Sequence, residues 1–215
     1  MSAVSRPNPS KRFPSTTPDT LVYQIDSRLY VNLTDRCTLA CTFCPKHNGC
    51  TEVKGHELYL SERPATEQII NLIGDPTRYD EIVFCGYGEP TLRLKDLLTV
   101  AHAVKAKGGR TRINTDGLAN RFYKRDVTPE MATCIDALSV SLNAQDEATY
   151  NRHCKPALTG SHSAVLEFIE AAAKVIPEVT ATAIDGLDGV DVARCAQLTE
   201  ARGATFRARY LDIVG

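Results

Sequence analysis

The chain has 215 residues, a formal net charge of −1 and a sequence pI of about 6.5. Hydrophobic residues contribute 43% and charged residues 24%, as in ordinary globular proteins. No run of Lys and Arg marks a surface that would follow a phosphate backbone, and no apolar stretch approaches the roughly 20 residues that cross a bilayer. Neither nucleic-acid binding nor membrane insertion is indicated. Without a recognisable secretory signal we expect a cytoplasmic protein, whose eight cysteines are thiols or metal ligands.

Residues 1–20 contain four prolines among Ser, Thr, Lys and Arg, which predicts a disordered leader before one domain over residues 21–215. Strand and helix signals then alternate. The predicted strands are 21–25, 29–34, 80–85, 111–115, 137–142, 179–184 and 205–210. The predicted helices lie near 66–73, 94–108, 129–135, 163–176 and 191–202, the fourth with Ser163 as its N-cap. The last six of these strands, with helices between them, favour an α/β fold, arranged as an open, partial (βα)6 TIM-like barrel.

Alternation along five of these strands separates polar from apolar side chains. One face carries Tyr30, Asn32, Thr34, Arg112, Asn114, Ser139, Ser141, Asn143, Thr180, Thr182, Arg207 and Arg209. The other carries Leu29, Val31, Leu33, Ile113, Leu138, Val140, Leu142, Val179, Ala181 and Ala183. We expect the apolar face to pack against outer helices and the polar face to line the interior. Because unpaired buried polar groups are costly, a polar lumen implies bound ligand or water. The alternative is that some strands are edges that face solvent.

Three cysteines, Cys37, Cys41 and Cys44, follow the first barrel strand within eight residues. They lie at the end of the barrel where α/β barrels place their active sites. Three thiolates at this spacing can bind one soft metal centre. Because iron–sulfur clusters usually have four Cys ligands, three would leave one iron open to a reactant. A structural zinc site is the alternative, with Cys50 or His47 as the fourth ligand.

The Cys-x3-Cys-x2-Cys spacing, with Phe43 before the third Cys, resembles the signature of the radical SAM superfamily. The resemblance implies that Cys37, Cys41 and Cys44 hold a [4Fe–4S] cluster and that its open iron binds S-adenosylmethionine (SAM). It further implies that an electron from the cluster cleaves SAM and forms a 5′-deoxyadenosyl radical. A partial barrel of the radical SAM type and an electron donor such as flavodoxin or ferredoxin are then expected.

Two later turns extend this similarity. The segment Gly86–Pro90 resembles the Gly-Gly-Glu-Pro turn that holds the amino group of SAM, with Tyr87 in place of the first Gly. The segment Thr115–Gly117 resembles a Thr-Asn-Gly turn, with Asp116 in place of Asn. No catalytic residue is assigned beyond the cluster ligands. The residues expected to bind SAM are Phe43, Tyr87, Gly88, Glu89, Pro90, Asn114, Thr115, Asp116, Ser141, Asn143, Thr182 and Arg209.

Three longer runs, Phe84–Arg93, Arg112–Asn120 and Ser139–Ala144, look like the TatD-associated radical SAM family. That resemblance implies an unidentified substrate and, in some genomes, a link to a TatD-type hydrolase. The short chain also resembles 7-carboxy-7-deazaguanine synthase and the glycyl-radical activating enzymes. Assays with a tetrahydropterin substrate or a glycyl-radical partner would separate these. A non-catalytic zinc or Fe–S binding module is the rival from another class, and metal content would distinguish it.

Four further cysteines and three arginines leave alternatives open. Cys134 and Cys195 are expected in the core, whereas Cys85, beside the Gly-rich turn, and Cys154, in a predicted loop, could reach the mouth of the barrel. Lumen-facing arginines would hold a substrate carboxylate or phosphate, or would form ion pairs within the protein. They are Arg112, Arg207 and Arg209.

Overall fold

A computed structural model describes residues 19–210 of the chain. Its strands are β1 (Val22–Ile25), β2 (Arg28–Val31), β3 (Glu52–Val53), β4 (His56–Glu57), β5 (Glu81–Phe84), β6 (Thr111–Thr115), β7 (Ala137–Ser141), β8 (Glu178–Asp185) and β9 (Thr205–Tyr210). Seven of them form one sheet in the order β1-β2-β5-β6-β7-β8-β9, while β3 and β4 pair as a separate hairpin. Strand β1 is antiparallel to β2, and every other neighbouring pair in the large sheet is parallel. Six consecutive parallel strands with β1 and β9 as unjoined edges confirm the predicted open, partial barrel.

Helices connect the parallel strands. They are α1 (Thr66–Ile73), α2 (Leu94–Ala106), α3 (Ala119–Tyr123), α4 (Thr128–Met131), α5 (Glu147–Cys154), α6 (Ser161–Ala173) and α7 (Val192–Glu200). Each connection between successive parallel strands contains at least one of them, as a βα barrel requires. Short 3-10 turns lie at Pro45–Asn48, Pro76–Arg78 and Pro90–Arg93.

Two local predictions are wrong. Helix α6 begins at Ser161 and not after Ser163, because Gly160 adopts a left-handed conformation with φ of 66° and the chain turns there. Cys154 is the last residue of α5 rather than part of a loop. Helix α5 carries no apolar stripe, and its start is marked by Asp146, whose carboxylate accepts a hydrogen bond from the Thr149 amide.

The apolar faces of the strands form the core beneath the helices. None of the residues predicted for that face is more than 6% exposed, and Ile113, Leu138 and Val140 are completely buried. Burying each Val, Leu or Ile contributes about 1.5–3 kcal/mol. This packing fixes the carboxyl ends of the strands, and thereby the loops that follow them.

The polar faces line the lumen, as predicted. Side chains from all six parallel strands surround a cavity of about 260 Å³. In strand order from β2 and β5 to β9, the lining includes Tyr30, Val83, Asn114, Ser139, Thr180 and Arg207. Between residues 19 and 210, no helix has the length and apolar character needed to cross a membrane.

The first described residues already contact the domain. The Asp19 carboxylate accepts hydrogen bonds from the amides of Ser61 and Glu62, and the Asn32 side chain donates to the Thr20 carbonyl. Residues 1–18, which make up most of the predicted leader, and residues 211–215 lie outside the described part of the chain.

Candidate active site

The cysteine loop leaves β2 and is held against the end of α5. The Ala40 amide donates to the Cys154 carbonyl at 3.0 Å, and the Thr42 amide donates to the His153 carbonyl at 2.8 Å. Phe43 is half-buried and packs against the hydrophobic core. The loop is therefore anchored by backbone hydrogen bonds and by one aromatic side chain.

The three predicted ligands lie close enough to influence one another's protonation. Cys37 is exposed, Cys44 is half-buried and Cys41 is buried. Desolvation by the surrounding loops raises the pKa of Cys37 to about 12, with further contributions from Asp116 and Glu89. A hydrogen bond with Cys154, burial and the neighbouring Cys37 and Cys44 all raise the pKa of Cys41. Cys37 and Cys41 therefore keep their protons at neutral pH, and a metal centre must displace those protons to bind.

The two metal centres considered place different demands on the donor set. Within residues 19–210, no three His, Cys, Asp or Glu side chains converge closely enough to hold a single metal ion. A cubane does not require its ligands to converge on one ion, because each Cys binds a different iron. The Cys50 thiol, a candidate fourth zinc ligand, donates to the Glu52 carbonyl at 2.9 Å.

The Gly-rich turn after β5 packs against the cysteine loop so closely that only glycine fits. A Cβ on Gly86 would lie 2.1 Å from Asn32 Oδ1, and one on Gly88 would lie 2.2 Å from the Arg36 carbonyl oxygen. The Glu89 amide donates to that same carbonyl at 2.7 Å. The two loops thus form one surface at the carboxyl end of the barrel.

Tyr87 belongs to the wall of this site. Its hydroxyl donates to the Cys50 carbonyl at 2.8 Å, and its amide donates to Asn32 Oδ1 at 3.2 Å. The Lys46 ammonium lies 5.5 Å from the centre of the Tyr87 ring. Burial raises the pKa of Tyr87 to about 12. The residue that replaces a glycine of the superfamily pattern therefore ties the turn to the segment after Cys44.

Glu89 and Asp116 form a buried carboxyl pair. Glu89 accepts four hydrogen bonds, two from Thr91 at 2.6 and 2.9 Å, one from the Thr115 hydroxyl at 2.8 Å and one from the Asp116 amide at 2.7 Å. Asp116 accepts hydrogen bonds from the Thr38 hydroxyl and the Leu118 amide. Burial, followed by the charge of Asp116, raises the pKa of Glu89 to about 8. Burial also raises the pKa of Asp116. Two such carboxyls resist ionising together.

The consequence is that Glu89 joins the turns after β5 and β6 through its own carboxylate. Pro90 is buried at the start of the 3-10 turn Pro90–Arg93, directly behind this pair. Glu89 is one of the residues expected to bind SAM, and in this structure its carboxyl oxygens accept hydrogen bonds from the chain itself.

Four of the remaining residues predicted to bind SAM, namely Asn114, Ser141, Thr182 and Arg209, lie on β6, β7, β8 and β9. Asn114 makes a side-chain hydrogen bond with Cys85, whose thiol also feels the charge of Arg209. Ser141 is half-buried at the end of β7, and Thr182 is buried on the neighbouring strand. These four positions follow the inner face of the sheet as predicted.

Asn143 departs from the strand pattern. It lies beyond the end of β7, with a left-handed φ of 62°, so strand alternation no longer determines its direction. Its amide nitrogen contacts Cys154 Sγ at 3.5 Å, and its Oδ1 is buried without a hydrogen-bond partner among residues 19–210. The Asn143 side chain therefore contacts Cys154 of α5 and does not follow the inner strand face that Ser141 occupies.

Tyr150 was missed as a site residue, whereas Cys154 was expected in a loop that could reach the mouth of the barrel. They are one turn apart on α5 and fully buried. The Tyr150 hydroxyl has no hydrogen-bond partner in the described part of the chain. Burial, and then the charges of Cys154, Asp116 and Cys41, raise the pKa of Tyr150, which locates the ring beside the cysteine loop. For Tyr150, the spacing of four residues from Cys154 was the only signal in the sequence that the two side chains share a site.

The chemistry of these residues fits a [4Fe–4S] cluster with SAM. Three neighbouring thiols supply the ligands, and two closely packed glycines bring backbone up to them. Two buried polar atoms, Asn143 Oδ1 and the Tyr150 hydroxyl, lack partners within residues 19–210. Such groups are costly unless something satisfies them, and a polar cofactor would do so.

A six-stranded parallel partial barrel with a three-cysteine loop at its carboxyl end defines the class of SAM-dependent iron–sulfur proteins. Comparison with protein families matches residues 31–200 to the radical SAM superfamily, and the chain belongs to that superfamily. It thereby falls in a class of enzymes. No match was found among curated proteins.

Solved structures agree on the fold. SuiB from Streptococcus suis, with SAM bound, superposes with a TM-score of 0.63 at 14% identity, covering 86% of this chain and 41% of SuiB. The FeFe-hydrogenase maturase HydG from Carboxydothermus hydrogenoformans gives 0.57 at 16% identity, covering 86% of this chain and 44% of HydG. A further structure, anSMEcpe with bound AdoMet, gives 0.55 at 15% identity, covering 85% of this chain and 51% of that protein. The chain therefore spans about two fifths of SuiB and about half or less of the others.

Proposed function

We propose that the protein binds a [4Fe–4S] cluster through Cys37, Cys41 and Cys44 and cleaves SAM reductively to act on an unidentified substrate. The observation that carries this proposal is the joint surface of the cysteine loop and the Gly86–Pro90 turn, with two unsatisfied polar atoms buried beside it. When bound, the cluster supplies the electron that cleaves SAM and yields a 5′-deoxyadenosyl radical.

The chain's own residues would bind SAM and orient it. The turn formed by Tyr87, Gly88, Glu89 and Pro90 would hold the amino group of SAM through backbone and carboxyl contacts. The carboxyl group of Glu89 also braces this turn by accepting hydrogen bonds from the Thr91 and Asp116 amides. Asn143 offers a free acceptor from the side of α5. Residues of the inner strand face, namely Asn114, Ser141, Thr182 and Arg209, would hold the rest of SAM together with Thr115 and Asp116 of the turn after β6. Phe43, packed on the core, limits water at the base of the loop.

An acidic electron donor such as flavodoxin or ferredoxin would dock beside Cys37. A cavity of about 1000 Å³ adjoins that thiol on the outside of the loop. Its charged lining consists of Asp35, Arg36, Lys46, Glu62, Arg63 and Arg93. Arg63 and Arg93 are paired with Asp96, which leaves Arg36 and Lys46 as the basic side chains that would contact a negatively charged partner.

The narrower assignment is a TatD-associated radical SAM protein. It rests on the three runs Phe84–Arg93, Arg112–Asn120 and Ser139–Ala144, which supply the Gly-rich turn, the Asp116 turn and the β7 end of the site. The expected partner is then a TatD-type hydrolase. Co-purification of the two proteins from a genome that encodes both, retained in high salt, would support this partner.

Anaerobic reconstitution tests the proposed chemistry. The wild-type chain should gain four irons and produce 5′-deoxyadenosine from SAM and dithionite, and Cys41→Ala should lose both. Cys195→Ala, a buried cysteine of α7 away from the loop, is the matched control. A colourless chain with stoichiometric zinc, or a wild-type cluster that leaves SAM intact, contradicts the proposal.

The same preparation tests whether the site keeps an open position. Cys154 adjoins Cys41 and is the side chain best placed to act as a fourth ligand. We expect Cys154→Ser to retain the full iron content and the electron paramagnetic resonance change that SAM binding causes in the wild type. Loss of iron in this variant would mean that the fourth position is filled by the protein.

A further inference from the structure

The lumen cavity carries an excess of positive charge. Its charged lining consists of Arg28, Arg112 and Arg207 against a single carboxylate, Glu81. Glu81 is only 5% exposed and contacts Arg28 at 3.3 Å and Arg112 at 2.9 Å. It also contacts Arg110, which lies outside the lining, at 2.9 Å. The internal ion pairs expected as one alternative for Arg112 are therefore present.

Arg207 differs from these arginines. It lies on the inner face of β9, in register with Thr182 of β8, and it is exposed to the cavity. It makes no ion pair with any carboxylate of the described chain. A guanidinium presents five N–H donors in a planar fork that matches a carboxylate or phosphate. Arg207 thus supplies an unused anion-binding group inside the lumen.

The position of the Arg207 guanidinium limits the size of the ligand that it could bind. The cavity reaches upward to Asn114, which contacts Cys85 just below the Gly-rich turn. Along β6 and the residue after it, the four residue steps from Arg112 to Asp116 span about 13 Å. An anion held low in the lumen would therefore lie on the order of 10 Å from the SAM turn. A cavity of about 260 Å³ is small for a whole ligand and suits one end of a small metabolite.

Resting on the proposed function, we propose that the substrate is a small anionic metabolite whose carboxylate or phosphate binds Arg207 in the lumen. Arg28 and Arg112 add positive charge, while Ser139 and Thr180 offer hydroxyls to the uncharged part of the molecule. The polar lining disfavours an apolar substrate end, because the donors that line the cavity would lose water without gaining a partner.

Direct binding tests this proposal. The full chain, reconstituted with its cluster, is titrated calorimetrically with inorganic phosphate and separately with malonate, with and without SAM. Arg207→Gln removes the proposed anchor. Arg78→Gln is the matched control, since Arg78 is an exposed arginine in the 3-10 turn before β5 and does not line the cavity.

We expect saturable binding of at least one anion, weakened about tenfold or more by Arg207→Gln and changed less than about twofold by Arg78→Gln. Tighter phosphate binding supports a phosphorylated substrate, and tighter malonate binding supports a carboxylic acid. Absence of saturable binding, or equal effects of the two variants, overturns the inference. If Arg207-dependent binding persists in a chain that cannot cleave SAM, the proposed chemistry fails while the anion site remains. If SAM is cleaved without such binding, only the anion site fails.

Discussion

The two ends of the barrel solve the same problem, buried polar groups, in opposite ways. At the amino end, Glu81 pairs with Arg28, Arg110 and Arg112, and Glu178 adds a second carboxylate beside Arg110 and Arg112. At the carboxyl end, Tyr150 and Asn143 bury polar atoms that find no partner among residues 19–210. The Glu81 cluster is satisfied by the chain itself, and only Arg207 beside it is left for the proposed anion, whereas the buried atoms of Tyr150 and Asn143 gain partners only from a ligand. The comparison indicates that the buried polar groups of the amino end mainly stabilise the fold, whereas those of the carboxyl end mainly serve binding.

Breaking the amino end should have the largest effect on stability. Glu81→Gln removes the buried counter-charge of three arginines, and we expect a loss of about 3 kcal/mol in the free energy of unfolding. Urea denaturation of the metal-free chain measures it. Glu130→Gln, which disrupts the exposed pair with Arg125, should cost less than about 1 kcal/mol. Similar losses in both variants would remove the distinction drawn for the amino end.

Crowding the carboxyl end should affect SAM cleavage more than folding. In Gly88→Ala the new Cβ would collide with the Arg36 carbonyl and displace the turn from the cysteine loop. A displacement of about 1 Å lowers a rate by on the order of 100-fold, and we expect that loss in 5′-deoxyadenosine formation with iron content retained. Gly74→Ala strains a left-handed glycine with open space around it, and should reduce stability without slowing the reaction. A normal rate in Gly88→Ala would show that the turn does not position SAM.

The carboxyl pair should make the metal-free chain less stable as pH rises. The pKa of Glu89 is raised to about 8 in the folded chain, so the folded state holds a proton that the unfolded state releases. Stability is full below the ordinary glutamate pKa and falls as pH rises towards 8, by at most about 1.4 kcal/mol per pH unit. Glu89→Gln should flatten this dependence. Denaturation midpoints at pH 5, 6, 7 and 8 test the slope, and an unchanged slope in the variant contradicts it.

The smallest predicted change in stability concerns Tyr150. It tests whether the Tyr150 hydroxyl faces a bound ligand or is simply buried in the core. Tyr150→Phe removes an unpaired buried hydroxyl, so the metal-free chain should gain about 1 kcal/mol. That gain should vanish when cluster and SAM are loaded, because the wild-type hydroxyl then has a partner. Thermal unfolding of both forms gives the comparison. Tyr123→Phe, whose hydroxyl donates to the Thr91 carbonyl, should lose stability in both forms. A gain that persists after loading would place Tyr150 outside the site.

Much of the fold was predictable because its signals are local. The alternation of residues such as Leu138 and Ser139 along one strand, and the Gly and Pro stops between elements, predicted the six parallel strands and the polar lumen. Helix α5 was not predicted, since Glu147–Cys154 has no apolar stripe to mark a buried face. The hairpin of β3 and β4, with two residues in each strand, is too short to leave a periodic pattern.

The site divides in the same way. The cysteine loop and the Gly-rich turn are contiguous motifs, so residue spacing alone identified them. Tyr150 and Cys154 reach Cys41 only because α5 packs on a loop more than a hundred residues earlier. The pairing of Arg112 with Glu81 likewise depends on the register between β5 and β6, which a single strand pattern does not contain.

The backbone hydrogen bonds between the cysteine loop and α5 also bear on how the protein matures. Residues 40 and 42 leave the ribosome long before residues 153 and 154, to which they are tied. A nascent chain that ends before α5 therefore exposes three reactive thiols without the support that arranges them. We expect iron and sulfide to be delivered only after β7 and α5 have been synthesised and packed, which makes cofactor assembly a late step in the biogenesis of this barrel.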